Sequence, residues 1–93
     1  NTKVFDLANE METYGTRVDI HDPCCIAKDA KEVYGIDLVA EPEHAAYDVI
    51  IVAVAHNEFR ELGAEGIRKF GKETSVVYDI KYVFPPEQVD DRL

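Results

Sequence analysis

One predicted strand, residues 47–55 (YDVIIVAVA) with an unbroken apolar run from Val49 to Ala55, constrains the fold of this chain more than any other feature. It is far too short to cross a membrane as a helix, and its β-branched valines and isoleucines favour an extended strand. Because apolar side chains occupy both faces of that strand, both faces must be covered. This pattern is typical of a buried strand in a parallel sheet with helices packed on its two sides.

The segments around this strand alternate between helical and extended patterns. Residues 3–14 repeat apolar side chains at helical spacing, and Gly15 follows as a stop. The first half is predicted as helix 3–14, strand 17–21, helix 24–34 after Asp22 and Pro23, and strand 36–39. The second half is predicted as a helical turn at 41–46, strand 47–55, a helix capped by Asn57, and strand 75–80. The helix after Asn57 is expected to break near Gly63 or Gly66. Residues 81–93 contain two consecutive prolines and cannot form one regular element. The alternation predicts an α/β fold with a parallel sheet.

The charge balance excludes some classes of partner. The chain has 93 residues, enough for one domain, and carries 19 acidic against 10 basic residues for a net charge of -9. Nucleic acid and anionic membrane surfaces would be repelled by such a chain. A phosphate ligand remains compatible with it where a local Lys or Arg and backbone N–H groups meet the anion.

The two cysteines, Cys24 and Cys25, are adjacent, so they cannot supply a disulfide framework, and a reducing, cytoplasmic setting is expected. They begin a predicted helix, where packing is favoured over a nucleophilic thiolate assisted by His21. A zinc site built from the same three residues is disfavoured by their spacing. The chain begins with Asn-Thr-Lys, without a Met or a signal-peptide pattern, which favours an internal piece of a longer protein.

Ligands of parallel α/β sheets bind beyond the carboxyl ends of the strands, and that rule selects a short set of residues. They are His21, Asp22 and Pro23 after the first strand, His56 and Asn57 after the long strand, and Asp79, Lys81 and Tyr82 at the last. His56 either contacts a ligand or orders its loop, and Asp79 with Lys81 either binds a ligand or forms a surface ion pair. No G-x-G-x-x-G or Walker A loop follows any strand.

Several phrases of the sequence occur together, in order, in one known family. They are NTKV at the start, YGTRVDIHDP at 14–23, YGI at 34–36, AYDVIIVAVAHNEF at 46–59 and VVYDIKYVFPPEQVDDRL at 76–93. The chain thereby resembles the C-terminal UDP-binding domain of the UDP-glucose/GDP-mannose dehydrogenases, above all the bacterial enzymes that oxidise UDP-N-acetylhexosamines for surface polysaccharide. The resemblance covers nearly the whole chain. It implies a three-layer Rossmann-like parallel sheet with helices on both faces.

The resemblance also implies an activity for a larger parent enzyme. That activity is an NAD-dependent, two-step oxidation of a sugar C6 alcohol to a carboxylate. NAD would be bound by an N-terminal domain that is absent here, and this chain would hold the UDP-sugar beside the N-terminal and central domains. By itself the chain should therefore reduce no NAD with any UDP-sugar.

The resemblance implies roles for four site residues. Lys81 matches the basic position of a D-x-[KR] segment near the nucleotide, and Asp79 is the first residue of that segment. His56 lies in an A-H-x-x-F phrase, which implies a loop-ordering role. Arg92 lies in a terminal D-x-R-L phrase, which implies a position at the substrate or at a subunit interface. Cys24 and Cys25 do not match the family's nucleophile. An arginine that the family places just before Asn1, and the first strand of the sheet, are missing from this sequence.

The missing strand predicts self-association. In a sheet of order 3-2-1-4-5 the first strand is central, so strands 17–21 and 48–55 would each lose a neighbour and expose unpaired backbone groups. Either these two strands close up and pair directly, or another chain fills the gap; the second outcome is favoured because direct closure would disturb the helix packing. A different class of protein, a stand-alone receiver-like or regulatory module, stays as the alternative, because Asp22 and Asp79 imitate its acidic residues. That alternative is weakened by the absence of an acidic pair after a first strand.

Overall fold

The structure, a computed structural model, describes residues 2–22 and 38–92. These residues divide into two compact units, Asn1–Pro42 and Glu43–Leu93. The predicted helix at 24–34, with Cys24 and Cys25, lies outside the described residues. Among those that are described, no helix is both long and apolar enough to cross a membrane.

In the first unit, helix α1 spans Thr2–Thr13, which confirms the helix predicted at 3–14. Ala8 on its apolar face is buried. The helix ends where Tyr14 and Gly15 donate backbone hydrogen bonds to the carbonyls of Met11 and Glu12, at 3.1 and 3.0 Å. Gly15 has a φ of 85°, a left-handed conformation that glycine adopts without steric cost, so the predicted stop at this position is confirmed.

The strands predicted at 17–21 and 36–39 are reduced, among the described residues, to one parallel bridge between Ile20 and Leu38. The N–H of Val39 donates to the carbonyl of Ile20 at 2.7 Å, and Nδ1 of His21 lies 2.9 Å from the carbonyl oxygen of Val39. The pairing is parallel, as expected for neighbouring strands of a parallel sheet. His21 therefore contacts the backbone of its own unit.

The second unit is a parallel sheet with one α-helix. Its elements are β1 (Tyr47–Val52), α2 (Asn57–Arg68), β2 (Gly71–Asp79), a 3-10 turn (Pro86–Gln88) and β3 (Asp91–Arg92). The strands lie in the order β1-β2-β3, and both pairs are parallel. The α/β class with a parallel sheet is thus confirmed. β1 ends at Val52 rather than at residue 55, and β2 begins at Gly71 rather than at 75.

Strand β2 is longer than predicted because its first half bulges. Tyr47 pairs with Gly71, whereas Val49 already pairs with Val76, so β2 holds extra residues between these two points. Gly71 allows the bulge to close, since a Cβ at this position would collide with the side chain of Ser75. From Val76 onward the register is regular, which is where the alternating pattern placed the strand.

The core of this unit lies between the sheet and α2. Its buried members are Val52, Ala64, Ile67, Val77, Phe84 and Val89. The prediction that both faces of β1 are covered is wrong at one end, because Val49 on β1 and Val76 beside it are 50% and 42% exposed. Apolar character on both faces of a short strand does not by itself show which face the rest of the chain covers.

Candidate functional site

The carboxyl ends of the three strands bring together residues that are distant in sequence. In the register of the sheet, Val52 of β1 pairs with Asp79 of β2, and Asp79 pairs with Arg92 of β3. Two of the four predicted site residues, Asp79 and Arg92, are therefore neighbours on adjacent strands. Lys81 lies two residues beyond Asp79, and His56 begins the helix that follows β1.

Asp79 is a buried carboxylate with a structural hydrogen bond. It is 0% exposed, and its Oδ2 accepts a hydrogen bond from the backbone N–H of Phe84 at 2.9 Å. Oδ1 is also buried and has no hydrogen-bond partner among the described residues. Since a buried carboxylate is costly unless its oxygens are bonded, the bond to Phe84 stabilises the turn between these two residues.

That turn, residues 80–84, contains Lys81, the basic residue predicted to lie near the nucleotide. Its first residue, Ile80, donates a backbone hydrogen bond to the carbonyl of Val52 at 3.1 Å, and its last, Phe84, is buried in the core. Lys81 and Tyr82 between them are exposed. The alternative of an Asp79–Lys81 ion pair is not found: Asp79 is buried and bonded to Phe84, whereas Lys81 faces solvent.

Arg92 lies against the same turn. Its guanidinium carbon is 4.1 Å from the centre of the Tyr82 ring, within the range of a cation–π contact. Its Nε is buried and has no hydrogen-bond partner in the described part of the chain. Arg92 is therefore ordered by β3 and by Tyr82 rather than frayed. The strand-end rule selected Tyr82 from the sequence, but nothing in the sequence pointed to this contact.

His56 is the N-cap residue of α2, with extended backbone angles (φ -72°, ψ 143°) and no side-chain capping bond. The prediction that Asn57 caps this helix is wrong, because Asn57 is already its first residue. The His56 carbonyl accepts hydrogen bonds from the N–H groups of Phe59 and Arg60, and its ring lies 5.4 Å from that of Phe59. The guanidinium of Arg60 donates to the carbonyl of Ala55 at 2.9 Å, which ties the same turn together.

Sequence reasoning missed the cluster that fixes β3. Arg68 at the end of α2 donates to Asp90 Oδ2 at 3.1 Å and, through Nε and Nη2, to the carbonyl of Gln88 at 3.3 and 3.1 Å. The same Asp90 oxygen accepts the Val77 N–H at 2.7 Å. These hydrogen bonds, first from Val77 and then from Arg68, hold the pKa of Asp90 below its ordinary value. Because β3 follows directly, this cluster positions Arg92.

Beside Arg68 lies an open groove of about 480 Å³, lined by Leu62, Gly63, Ala64, Glu65, Arg68, Glu87 and Gln88. None of the four predicted site residues lines it. No group of three or more His, Cys, Asp or Glu side chains that could hold a metal ion occurs within residues 2–22 and 38–92. The candidate site is therefore the strand-end region around Lys81, Tyr82 and Arg92.

Comparison with known proteins identifies a family. Residues 1–86 match the UDP binding domain of the UDP-glucose/GDP-mannose dehydrogenase family. The whole chain is 50% identical to UDP-N-acetyl-D-glucosamine 6-dehydrogenase of Pseudomonas aeruginosa and 47% identical to the protein of the same name from Salmonella typhi. It is 30% identical, over 97% of its length, to Protein CapL of Staphylococcus aureus.

The chain spans only about a fifth of these relatives, 22%, 22% and 21% of their respective lengths. No solved structure matches it. Because the chain matches this family over residues 1–86, the alternative of a stand-alone receiver-like or regulatory module is set aside.

Proposed function

Because the chain belongs to the UDP-glucose/GDP-mannose dehydrogenase family and is its UDP-binding domain, we propose that it holds the nucleotide of a UDP-N-acetylhexosamine for oxidation at C6. The observation that carries the proposal is the identity of 50% and 47%, along the entire chain, to two UDP-N-acetyl-D-glucosamine 6-dehydrogenases. The phrases AYDVIIVAVAHNEF at 46–59 and VVYDIKYVFPPEQVDDRL at 76–93, which carry the family resemblance, contain β1, the regular half of β2 and the turn after β2.

Within this domain we propose that Lys81 binds the diphosphate. It is exposed at the carboxyl edge of the sheet, on a turn that is held at both ends by hydrogen bonds. A mobile ammonium group at such an edge suits a dianionic phosphate in a chain whose net charge would otherwise repel it. Asp79 holds the turn, His56 orders the loop after β1, and Arg92 supplies a second cation at the same edge.

The complete reaction needs groups that this chain does not supply. Conversion of a C6 alcohol to a carboxylate removes two hydrides, which would need two molecules of NAD as acceptors, and water supplies the second carboxylate oxygen. The residues between β1 and α2 do not fit NAD, because Ala53, Val54, Ala55 and His56 carry side chains where a dinucleotide turn needs glycine. We therefore assign NAD, and the nucleophile, to the N-terminal and central domains of a larger cytoplasmic enzyme that makes precursors of surface polysaccharide.

We also propose that the 93-residue chain associates with other copies of itself. Within the unit of residues 43–93, β1 pairs with β2 along one edge only, and Val49 on this strand is half exposed. An apolar strand with one unpaired edge pairs readily with another strand.

The proposed function is tested by NAD reduction. The natural full-length protein that contains this chain should reduce NAD with UDP-N-acetylglucosamine and yield the C6 carboxylate, with GDP-mannose as the control substrate for the base. The 93-residue chain alone should give no turnover with either. Turnover by the isolated chain, or a full-length protein that leaves UDP-N-acetylhexosamines unoxidised, would contradict the proposal.

A further inference from the structure

Tyr82 has a backbone conformation that tyrosine rarely adopts. Its φ is 54°, in the left-handed region, and the residue remains 55% exposed. A bulky side chain at positive φ is strained, and such strain persists only where the surrounding structure enforces it. An exposed tyrosine on an ordinary surface turn would need no such constraint.

The enforcing contacts lie at the two ends of the turn. Before Tyr82, Ile80 donates its N–H to the carbonyl of Val52 at 3.1 Å. After it, the N–H of Phe84 donates to the buried Asp79 carboxylate at 2.9 Å, and the Phe84 ring enters the core. The backbone is therefore held on both sides of Tyr82, with the three residues 81–83 between the bonded N–H groups of Ile80 and Phe84.

The ring of Tyr82 has one covered face and one open face. The Arg92 guanidinium lies over it with its central carbon 4.1 Å from the ring centre, and a group at this distance covers one face. Because more than half of the residue is still exposed, the opposite face is open to solvent. A flat aromatic ring backed by a cation offers a stacking surface to another flat ring.

We propose that the open face of Tyr82 stacks on the uracil base of the bound nucleotide while the neighbouring Lys81 meets the phosphates. This rests on the proposed function, since it names the residue that contacts the base at the same site. Asp79 then acts as a positioning residue, because its carboxylate touches the turn and not the ligand. The turn presents two adjacent exposed side chains whose chemistry matches two parts of one ligand, a flat base and an anion.

The test compares two ligands whose bases differ in how well they stack on an aromatic ring. UDP and 5,6-dihydro-UDP share the ribose, the diphosphate and the hydrogen-bonding groups of the base, but the saturated ring is puckered and stacks poorly. Their dissociation constants would be measured by calorimetry on the natural full-length protein and on its Tyr82→Phe and Tyr82→Gly variants. Glycine relieves the strain at positive φ, so thermal unfolding of Tyr82→Gly separates a lost contact from a lost fold.

Wild type and Tyr82→Phe should both prefer UDP over the dihydro ligand by about fivefold or more, and the preference should disappear in Tyr82→Gly. Equal affinities of the two ligands for wild type, or an undiminished preference for UDP in Tyr82→Gly, would overturn the stacking role. Either result would instead favour Tyr82 as a contact for another protein domain. Failure of the wild-type protein to bind UDP at all would instead contradict the proposed function, and this proposal with it.

Discussion

Asp90, which directly precedes β3, is hydrogen-bonded to both β2 and α2. Its Oδ2 accepts the Val77 N–H of β2 and the Arg68 guanidinium of α2, while its own N–H donates to the Val77 carbonyl at 3.0 Å. The surface ion pair of Lys72 with Asp48, at 3.2 Å, makes a useful contrast because both side chains are largely exposed. Exposed pairs of that kind contribute little to stability, whereas a carboxylate that accepts a backbone N–H has its charged form specifically stabilised.

The lowered pKa of Asp90 predicts a pH dependence of stability. Because the folded-state pKa lies below the ordinary 3.8, the contribution is fully present above about pH 4 and is lost as pH falls through the folded-state value. Asp90→Asn should therefore lower the urea midpoint at pH 6, and its difference from wild type should shrink below about pH 4. Asp48→Asn is the matched control and should change the midpoint little. A difference for Asp90→Asn that is constant from pH 6 to 2 would contradict this account.

At the scale of elements, helix α2 is two helical pieces joined at Gly63. Gly63 has φ 71° and ψ 166°, which no residue with a side chain adopts comfortably, and a Cβ placed there would meet nothing within 4 Å. Gly66, three residues on, is helical, and its Cβ would touch Leu62 at 3.1 Å. Relief of this contact needs a shift of only a few tenths of an ångström at the Leu62 Cβ, and this residue is 48% exposed and has room to adjust.

The two glycines therefore predict opposite effects of alanine. Gly63→Ala should lower the free energy of unfolding by about 1–3 kcal/mol, because it forces a side chain into a backbone region reserved for glycine. Gly66→Ala should be neutral or should stabilise by up to about 1 kcal/mol through helix propensity. Chemical denaturation of both variants against wild type measures the difference. Equal effects of the two substitutions would show that the break at Gly63 is not maintained in solution.

The elements differ in how far the sequence could predict them. Periodicity placed α1, β1, the regular half of β2 and the break in α2, because each is decided by the spacing of apolar and glycine residues nearby. The bulge that begins at Gly71 and the short strand β3 gave no periodic signal. β3 depends on Arg68 and Asp90, which are far apart in sequence and polar, and a surface ion pair leaves no pattern in a single chain.

The candidate site shows the same limit. The strand-end rule selected Asp79, Lys81 and Tyr82 together, since parallel strands end at one edge. It could not show that Asp79 faces inward to Phe84, or that Tyr82 is left-handed and covered by Arg92. Those features depend on how residues 80–84 close, which is decided by individual hydrogen bonds rather than by composition.

At the scale of the whole molecule, the edge of β1 that is unpaired within residues 43–92 predicts behaviour in solution. The 93-residue chain should associate at micromolar concentration, because an apolar strand paired along one edge, with Val49 half exposed, gains backbone hydrogen bonds and buried area from a second chain. Light scattering over a concentration series measures the mass. Val49→Lys, which places a charge on that strand, should shift the chain toward monomer. A stable monomer at all concentrations would contradict the prediction.

The central claim, that this domain binds UDP at the carboxyl edge of its sheet, is tested most directly by one titration. UDP binding to the natural full-length protein would be measured by calorimetry for wild type, Lys81→Ala and the control Lys69→Ala, whose exposed lysine follows α2 away from that edge. Loss of a charge-assisted contact should weaken UDP binding by about tenfold or more in Lys81→Ala and leave Lys69→Ala unchanged. Equal UDP affinity in all three proteins would contradict the placement of the nucleotide at this edge.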